Sequence, residues 1–185
     1  MLSQITSLFD DARTVSLEKG QALFRVGDMV RSIHLTVSGQ LALVRNTAAG
    51  TSLVLHRAGP EQVLAEASVY APTYHCDGIA IEPSTLRALS VAVFRDRLTT
   101  DAKAMQAWFE HLASSLQGAR TNAEIRTLRT VAERLDAWLD GERALPAKGQ
   151  WQDLAYELGV TREALYRELG RRRTGSGSRL ASSPK

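Results

Sequence analysis

Between residues 15 and 94 the apolar residues come in short runs that alternate with polar ones and break at turn residues. That pattern predicts an antiparallel all-β domain. Ile33, Leu35 and Val37 alternate up to Ser38-Gly39, and Leu41 and Leu43 resume the alternation beyond it. Residues 52–56, 78–81 and 86–94 read as further strands, with turns expected at Gly20, Gly27-Asp28, Gly39, Gly50 and Gly59-Pro60. Ahead of them, Ile5, Leu8, Phe9 and Ala12 share one face of a helix over residues 3–12.

After the strands the period changes. Leu98, Ala102, Met105, Phe109, Leu112, Leu116, Ala119 and Ala123 alternate in steps of four and three, the a/d pattern of a coiled coil. One small barrel does not cover a seam of that length, so the spacing predicts a helix that pairs with a second copy. Its interface is Met105, Phe109, Leu112, Leu116 and Ala119. The polar run at residues 120–126 is expected to be a hinge. A further helix begins near Thr127, with Leu128, Val131, Ala132, Leu135, Trp138 and Leu139 toward a core.

Residues 150–171 then read as two short helices meeting at a glycine. Ala155 allows close approach, Gly159 takes the left-handed conformation that ends the first helix, and Thr161 caps the second. Leu165 and Leu169 point inward, which leaves Arg162, Glu163, Tyr166 and Arg167 on the free face. Arginine pairs bidentately with guanine and glutamate accepts from a cytosine amine, so this face suits base-edge reading of double-stranded DNA. An ordinary helical hairpin with a solvated face is the alternative.

Charge sharpens the picture. Residues 1–119 hold 10 Lys+Arg against 11 Asp+Glu, whereas residues 120–185 hold 13 against 9. The basic excess lies with the helical pair, as phosphate binding requires. The single cysteine, Cys76, excludes an intrachain disulfide and a four-cysteine iron–sulfur or zinc site. No apolar run reaches the length of a membrane span and the first residues do not form a signal peptide, so a soluble cytoplasmic protein is expected. No phosphate loop, nucleophile elbow or metal-hydrolase motif is present, so the chain does not read as an enzyme.

A glycine-punctuated barrel, a dimer helix and a helix-turn-helix in that order resemble the Crp/Fnr family of transcription regulators. The resemblance is carried by LEKGQALFRVGD at 17–28, IHLTVSGQLAL at 33–43 and the helix-turn-helix. It implies an α+β chain: an N-terminal antiparallel jelly roll of the cyclic-nucleotide-binding type over 1–97 and a dimerisation helix over 98–124. A helix-turn-helix domain follows over 125–170. The family continues into a β-hairpin wing, but here residues 171–185 are basic and rich in Gly and Ser. A degenerate or missing wing and a disordered tail are expected. RNA polymerase is a further partner the resemblance implies, and a sensor module without DNA binding is the competing reading.

In cyclic-nucleotide binders of this family, a cassette of the type F-G-E-x-[AS] precedes an arginine that holds the cyclic phosphate. Here Glu66 matches, Ala65 replaces the glycine, and Cys76 with Asp77 stand where the arginine and its neighbour belong. A carboxylate repels phosphate where arginine would grip it, so cyclic AMP and cyclic GMP are not expected as effectors. The pocket candidates are Glu66, Ala67, Ser68, His75, Cys76 and Asp77, and the effector is unidentified. His75 and Cys76 are side by side, which invites a haem or metal ligand role or an activated thiol. Strand alternation instead predicts Tyr74 and Cys76 buried with His75 pointing out. Haem and metal are not expected as cofactors.

Overall fold

The computed structural model describes residues 2–47, 52–140 and 144–177. The chain divides into two compact units, residues 1–115 and 116–185.

The first unit opens with a short helix, α1 (Leu2–Thr6), and a 3-10 turn, Ser7–Phe9, that together bury Ile5, Leu8 and Phe9. Eight strands follow: β1 (Arg13–Leu17), β2 (Ala22–Phe24), β3 (Ser32–Ser38), β4 (Leu41–Asn46), β5 (Ser52–Ala58), β6 (Val63–Leu64), β7 (Asp77–Ala80) and β8 (Ser84–Ser90). They form two four-stranded antiparallel sheets, β1-β8-β3-β6 and β2-β7-β4-β5. Apart from the β4–β5 hairpin, successive strands thus pass from one sheet to the other, as in the jelly roll expected. Phe24, Leu41, Leu43, Leu64, Ala80 and Leu86 fill the space between the sheets.

The outer face of the first sheet is covered by helices. Ile33, Leu35, Val63 and Leu89 meet Phe9, Phe94, Leu98 and Trp108 there. Hence β3 is buried on both sides. Ile33 and Leu35 face the helices, while the His34 ring lies tilted 6.2 Å from Phe24 on the barrel side. Val37 departs from the expected alternation and is exposed, because the pairing with β8 slips between Thr36 and Ser38. Gly39 makes the tight turn into β4 with φ +79°, and a Cβ there would overlap Ser84 and the Pro83 carbonyl.

The run 86–94 is not one strand. β8 ends at Ser90, whose hydroxyl accepts from the Val93 amide and starts α2 (Val91–Thr100). The Leu98–Ala123 seam is likewise not one helix. Asp101 ends α2, and its carboxylate caps α3 (Ala102–Thr127) by accepting from Lys103 and Ala104. Leu98 therefore belongs to the barrel core.

In the second unit the 120–126 hinge is corrected too. α3 runs through it to Thr127, since its last turn places Ile125 in the unit's core with Leu135, Trp138, Leu154, Leu158 and Leu165. The break comes at residues 128–130, where Thr130 and Glu133 form a capping box for α4 (Val131–Leu139). α5 (Trp151–Glu157) and α6 (Arg162–Gly177) complete the unit. Residues 171–177, expected as disordered tail, continue α6, and residues 178–185 lie outside the described residues. Among the described residues no strand follows Ser90, and no helix is long and apolar enough to cross a membrane.

Candidate nucleic-acid interface and effector site

The turn between α5 and α6 is built as its sequence requires. Gly159 sits at φ +64°, its amide reaches the Tyr156 carbonyl, and the Val160 amide reaches the Ala155 carbonyl. This is a Schellman ending, closed by half-buried Val160 against the core. Thr161 Oγ1 then accepts from the Ala164 amide at 3.2 Å and caps α6. Ala155, Leu165 and Leu169 are buried.

Of the five DNA-contact candidates, Thr161, Arg162, Glu163 and Arg167 are exposed and Tyr166 is half-buried. The Tyr166 ring packs edge-on against Trp151 at 4.9 Å, and the Arg162 guanidinium lies 5.1 Å over its face while donating to its hydroxyl. Tyr166 is thus a support that holds Arg162 along the helix surface. Arg167 and Glu163 point to solvent.

Three arginines that looked like surface charge are built into this unit. Arg126, on the last turn of α3, donates to the Tyr156 and Glu157 carbonyls. Arg134 of α4 donates to the Leu128, Leu158 and Gly159 carbonyls. Arg172 of α6 binds Asp136 Oδ1 at 2.6 Å, Glu168 Oε1 at 2.7 Å and the Ala132 carbonyl. The fold thus turns Arg172, in the basic run 171–173, inward. Arg171 also pairs with Glu168, and these contacts hold the buried Glu168 carboxyl below the usual range, Arg172 first. Only the Glu168–Arg172 spacing of four was visible in the sequence; the carbonyl partners depend on tertiary placement.

The α3 seam divides as follows. Ala104, Ala107 and Trp108 face the barrel core, whereas Phe109 and Leu116 are 56% and 53% exposed. Met105 and Leu112 are half-buried and Ala119 is exposed. The predicted interface is an apolar stripe beside the barrel-facing side of the helix.

In the barrel, Ala65 adopts φ +57°, the left-handed conformation that a cassette glycine would take freely. The 3-10 turn Glu66–Tyr70 follows. Glu66 accepts from Ser115 of α3 at 2.9 Å, Ala67 is exposed and Ser68 is buried. Ala65, Tyr74 and Cys76 share the inter-sheet core, which brings the two halves of the candidate pocket together. His75 is exposed and Cys76 buried, but residues 74–76 precede β7 and lie in no strand, and Asp77 beside Cys76 is buried too, so strand alternation is not the cause. Asp77 is committed elsewhere: its carboxylate accepts from Arg25 Nη1 at 3.0 Å and from the Val26 amide at 2.8 Å. Burial pushes the Cys76 thiol pKa up, so it is not an activated thiolate. Burial likewise raises Tyr74 to about 12, and its hydroxyl donates to the Ser32 carbonyl. His34 and Thr36, which the strand pattern left unmarked, line the barrel side of β3. His34 Nδ1 and Thr36 Oγ1 have no hydrogen-bond partner among the described residues, and burial lowers His34 to about 4, so its imidazole is neutral. Their only signal was position, one residue out of phase with Ile33 and Leu35. Among the described residues no cluster of three or more His, Cys, Asp or Glu could hold a metal ion.

Residues 14–101 match the model of the cyclic nucleotide-binding domain family. Several solved structures share the fold. FixK2 from Bradyrhizobium japonicum is 18% identical with a TM-score of 0.69, covering 89% of this chain and 86% of that one. The c-di-GMP-responsive global regulator CLP of Xanthomonas campestris is 19% identical with a TM-score of 0.66, covering 95% and 93%. The sensor domain of the transcriptional regulator DNR from Pseudomonas aeruginosa is 24% identical with a TM-score of 0.54, covering 70% and 84%. No curated protein matches the chain in sequence.

Proposed function

We propose that this chain, whose residues 14–101 match the cyclic nucleotide-binding domain family and whose fold follows the Crp/Fnr regulators it resembles, is a DNA-binding transcription regulator. It acts as a homodimer through the α3 stripe and binds an inverted repeat in double-stranded DNA. The observation that carries this reading is α6 itself. A capped, glycine-preceded helix buries Leu165 and Leu169 while presenting Thr161, Arg162, Glu163 and Arg167 to solvent. Arg167 reads a base edge, Arg162 and Glu163 read neighbouring positions, and Thr161 meets phosphate at the helix N-terminus.

The test is a competition titration of wild type and Arg167→Ala on a duplex selected from a random pool and on unselected DNA. Arg167→Ala is expected to cost about 1–3 kcal/mol on the selected site and to relax discrimination at one base pair. Equal losses on both duplexes would reduce Arg167 to a backbone contact. If wild type selects no duplex even at low salt, the sensor-module reading takes its place.

The effector is a ligand other than cyclic AMP or cyclic GMP. Where the resemblance places the phosphate-holding arginine, this chain has buried Cys76 and Asp77, whose carboxylate accepts from Arg25. Calorimetry is expected to give no heat of binding with either nucleotide at micromolar concentrations. A micromolar Kd for one of them overturns this assignment.

A further inference from the structure

The carbonyl end of α5 is gripped from α3 as well as from within its own helical pair. Arg126 Nη2 donates to the Tyr156 carbonyl at 2.9 Å and Nε to the Glu157 carbonyl at 3.2 Å. Its guanidinium also lies 5.2 Å over the Tyr156 ring. The Tyr156 carbonyl already accepts from the Gly159 amide and takes Arg126 as a further donor, the Glu157 carbonyl lies at the end of the helix, and a cation there also meets the negative end of the helix dipole. Next to Arg126, Ile125 is buried in the same core as Leu158 and Leu165. The contact is close: a Cβ on Gly159 would come within 2.9 Å of Arg126 Cγ. The last turn of the dimer helix is therefore part of the helix-turn-helix body, fastened by one apolar and one charged side chain in succession.

We infer that Arg126 is a positioning residue that fixes the direction of the helix-turn-helix relative to α3 and thereby sets the half-site spacing the dimer accepts. The inference rests on the DNA-binding reading above. In a two-fold dimer joined along α3, the two recognition helices are held apart by whatever fastens each of them to that helix. A guanidinium suits the task because its planar fork addresses two carbonyls while its face stacks on Tyr156. A lysine ammonium offers neither the fork nor the stacking plane. Glycine at 159 serves this contact as well as the turn, since any side chain there would displace Arg126.

The experiment uses the full chain and a duplex series in which the selected half-sites are kept and the central spacer is lengthened or shortened by single base pairs. Wild type is expected to prefer one spacing sharply. Arg126→Ala should bind that spacing roughly ten-fold more weakly, as for the loss of charge-assisted hydrogen bonds, and should bind the neighbouring spacings nearly as well. Its discrimination among bases within each half-site should be kept. Arg126→Lys should resemble Arg126→Ala in its spacing profile while melting like wild type, which separates positioning from folding. A spacing profile as sharp as wild type in both variants overturns the inference, whatever the affinity. Failure of wild type to bind any duplex would overturn the DNA reading and the spacing role with it. Hydrogen exchange at the Leu158, Gly159 and Val160 amides then judges the grip itself: faster exchange in Arg126→Lys supports it, and unchanged exchange rejects it.

Discussion

Replacing Phe109 by aspartate is expected to turn the protein into a monomer and to weaken operator binding by about two orders of magnitude. The argument starts from the two faces of α3. One is spent on the barrel, where Trp108 is fully buried against Phe94 at 4.9 Å. The other carries Phe109 and Leu116 with about half of each side chain in solvent. Single exposed apolar residues need no explanation, but these two lie on a stripe with Met105, Leu112 and Ala119 at heptad spacing. Burying such a stripe against its two-fold copy removes apolar area from water at about 25 cal/mol per Å². In a symmetric interface one substitution appears twice, so Phe109→Asp would place two carboxylates in a desolvated seam. Each monomer would then hold a single half-site, without the gain from simultaneous engagement. Sedimentation of Phe109→Asp against wild type and Glu110→Lys, a change away from the seam, checks this. A monomeric wild-type mass, or a dimeric Phe109→Asp, would refute the interface.

What the sequence made legible divides along physical lines. Local rules carried the turn at Gly159, the cap at Thr161 and the burial of Leu165, because each depends on residues within a few positions. Where alternation failed, a second surface had intervened. β3 is buried on both faces because helices cover its outer side, so the alternation singled out Ile33 and Leu35 and passed over His34 and Thr36, each one position on. The residues from Met105 to Ala123 do lie on one helix, but Leu98 belongs to the barrel core, since Asp101 interrupts the helix through a cap that hydrophobic spacing does not register. The polar run at 120–126 suggested a hinge, but Arg126 is anchored by partners 30 and 31 residues away in sequence, and Ile125 lies in the core beside it. The arginines were the hardest to read. Arg126, Arg134 and Arg172 bind backbone carbonyls, and no residue type in the sequence announces such an acceptor.

Arg172→Ala is expected to destabilise the C-terminal unit by roughly 1–3 kcal/mol at neutral pH, the range for losing hydrogen bonds to a charged donor. Its effect on DNA should follow that loss of fold. Arg172 is the staple between α6 and α4, joining buried Glu168 to Asp136 and to the Ala132 carbonyl. Arg171 remains on Glu168 in the variant, so the carboxylate is not left wholly unpaired. The pH dependence identifies the partner. The Glu168 carboxyl is held below its ordinary 4.5, mainly by its bond to Arg172. A depressed carboxylate pKa contributes stability that is present above the unfolded value and lost as pH falls through the folded one. The penalty of Arg172→Ala should therefore be largest at pH 7 and should shrink as pH falls from 4.5, the ordinary carboxyl value, through the lower value at which folded wild-type Glu168 takes up its proton. Glu133 is also held low, by its capping bonds to Thr130, and contributes its own acid-dependent loss. Glu168→Gln removes only the Glu168 share, so adding Arg172→Ala to it should cost less, and less pH-dependently, than adding Arg172→Ala to wild type. Thermal melts of wild type, the two single variants and the double variant at about pH 7 and about pH 3.5 give the comparison. A penalty of equal size at both pH values would mean that the Ala132 carbonyl, which does not titrate, rather than a carboxylate, is the partner that matters. Unchanged melting with a uniform loss of affinity on all DNA would instead place Arg172 on the phosphate backbone.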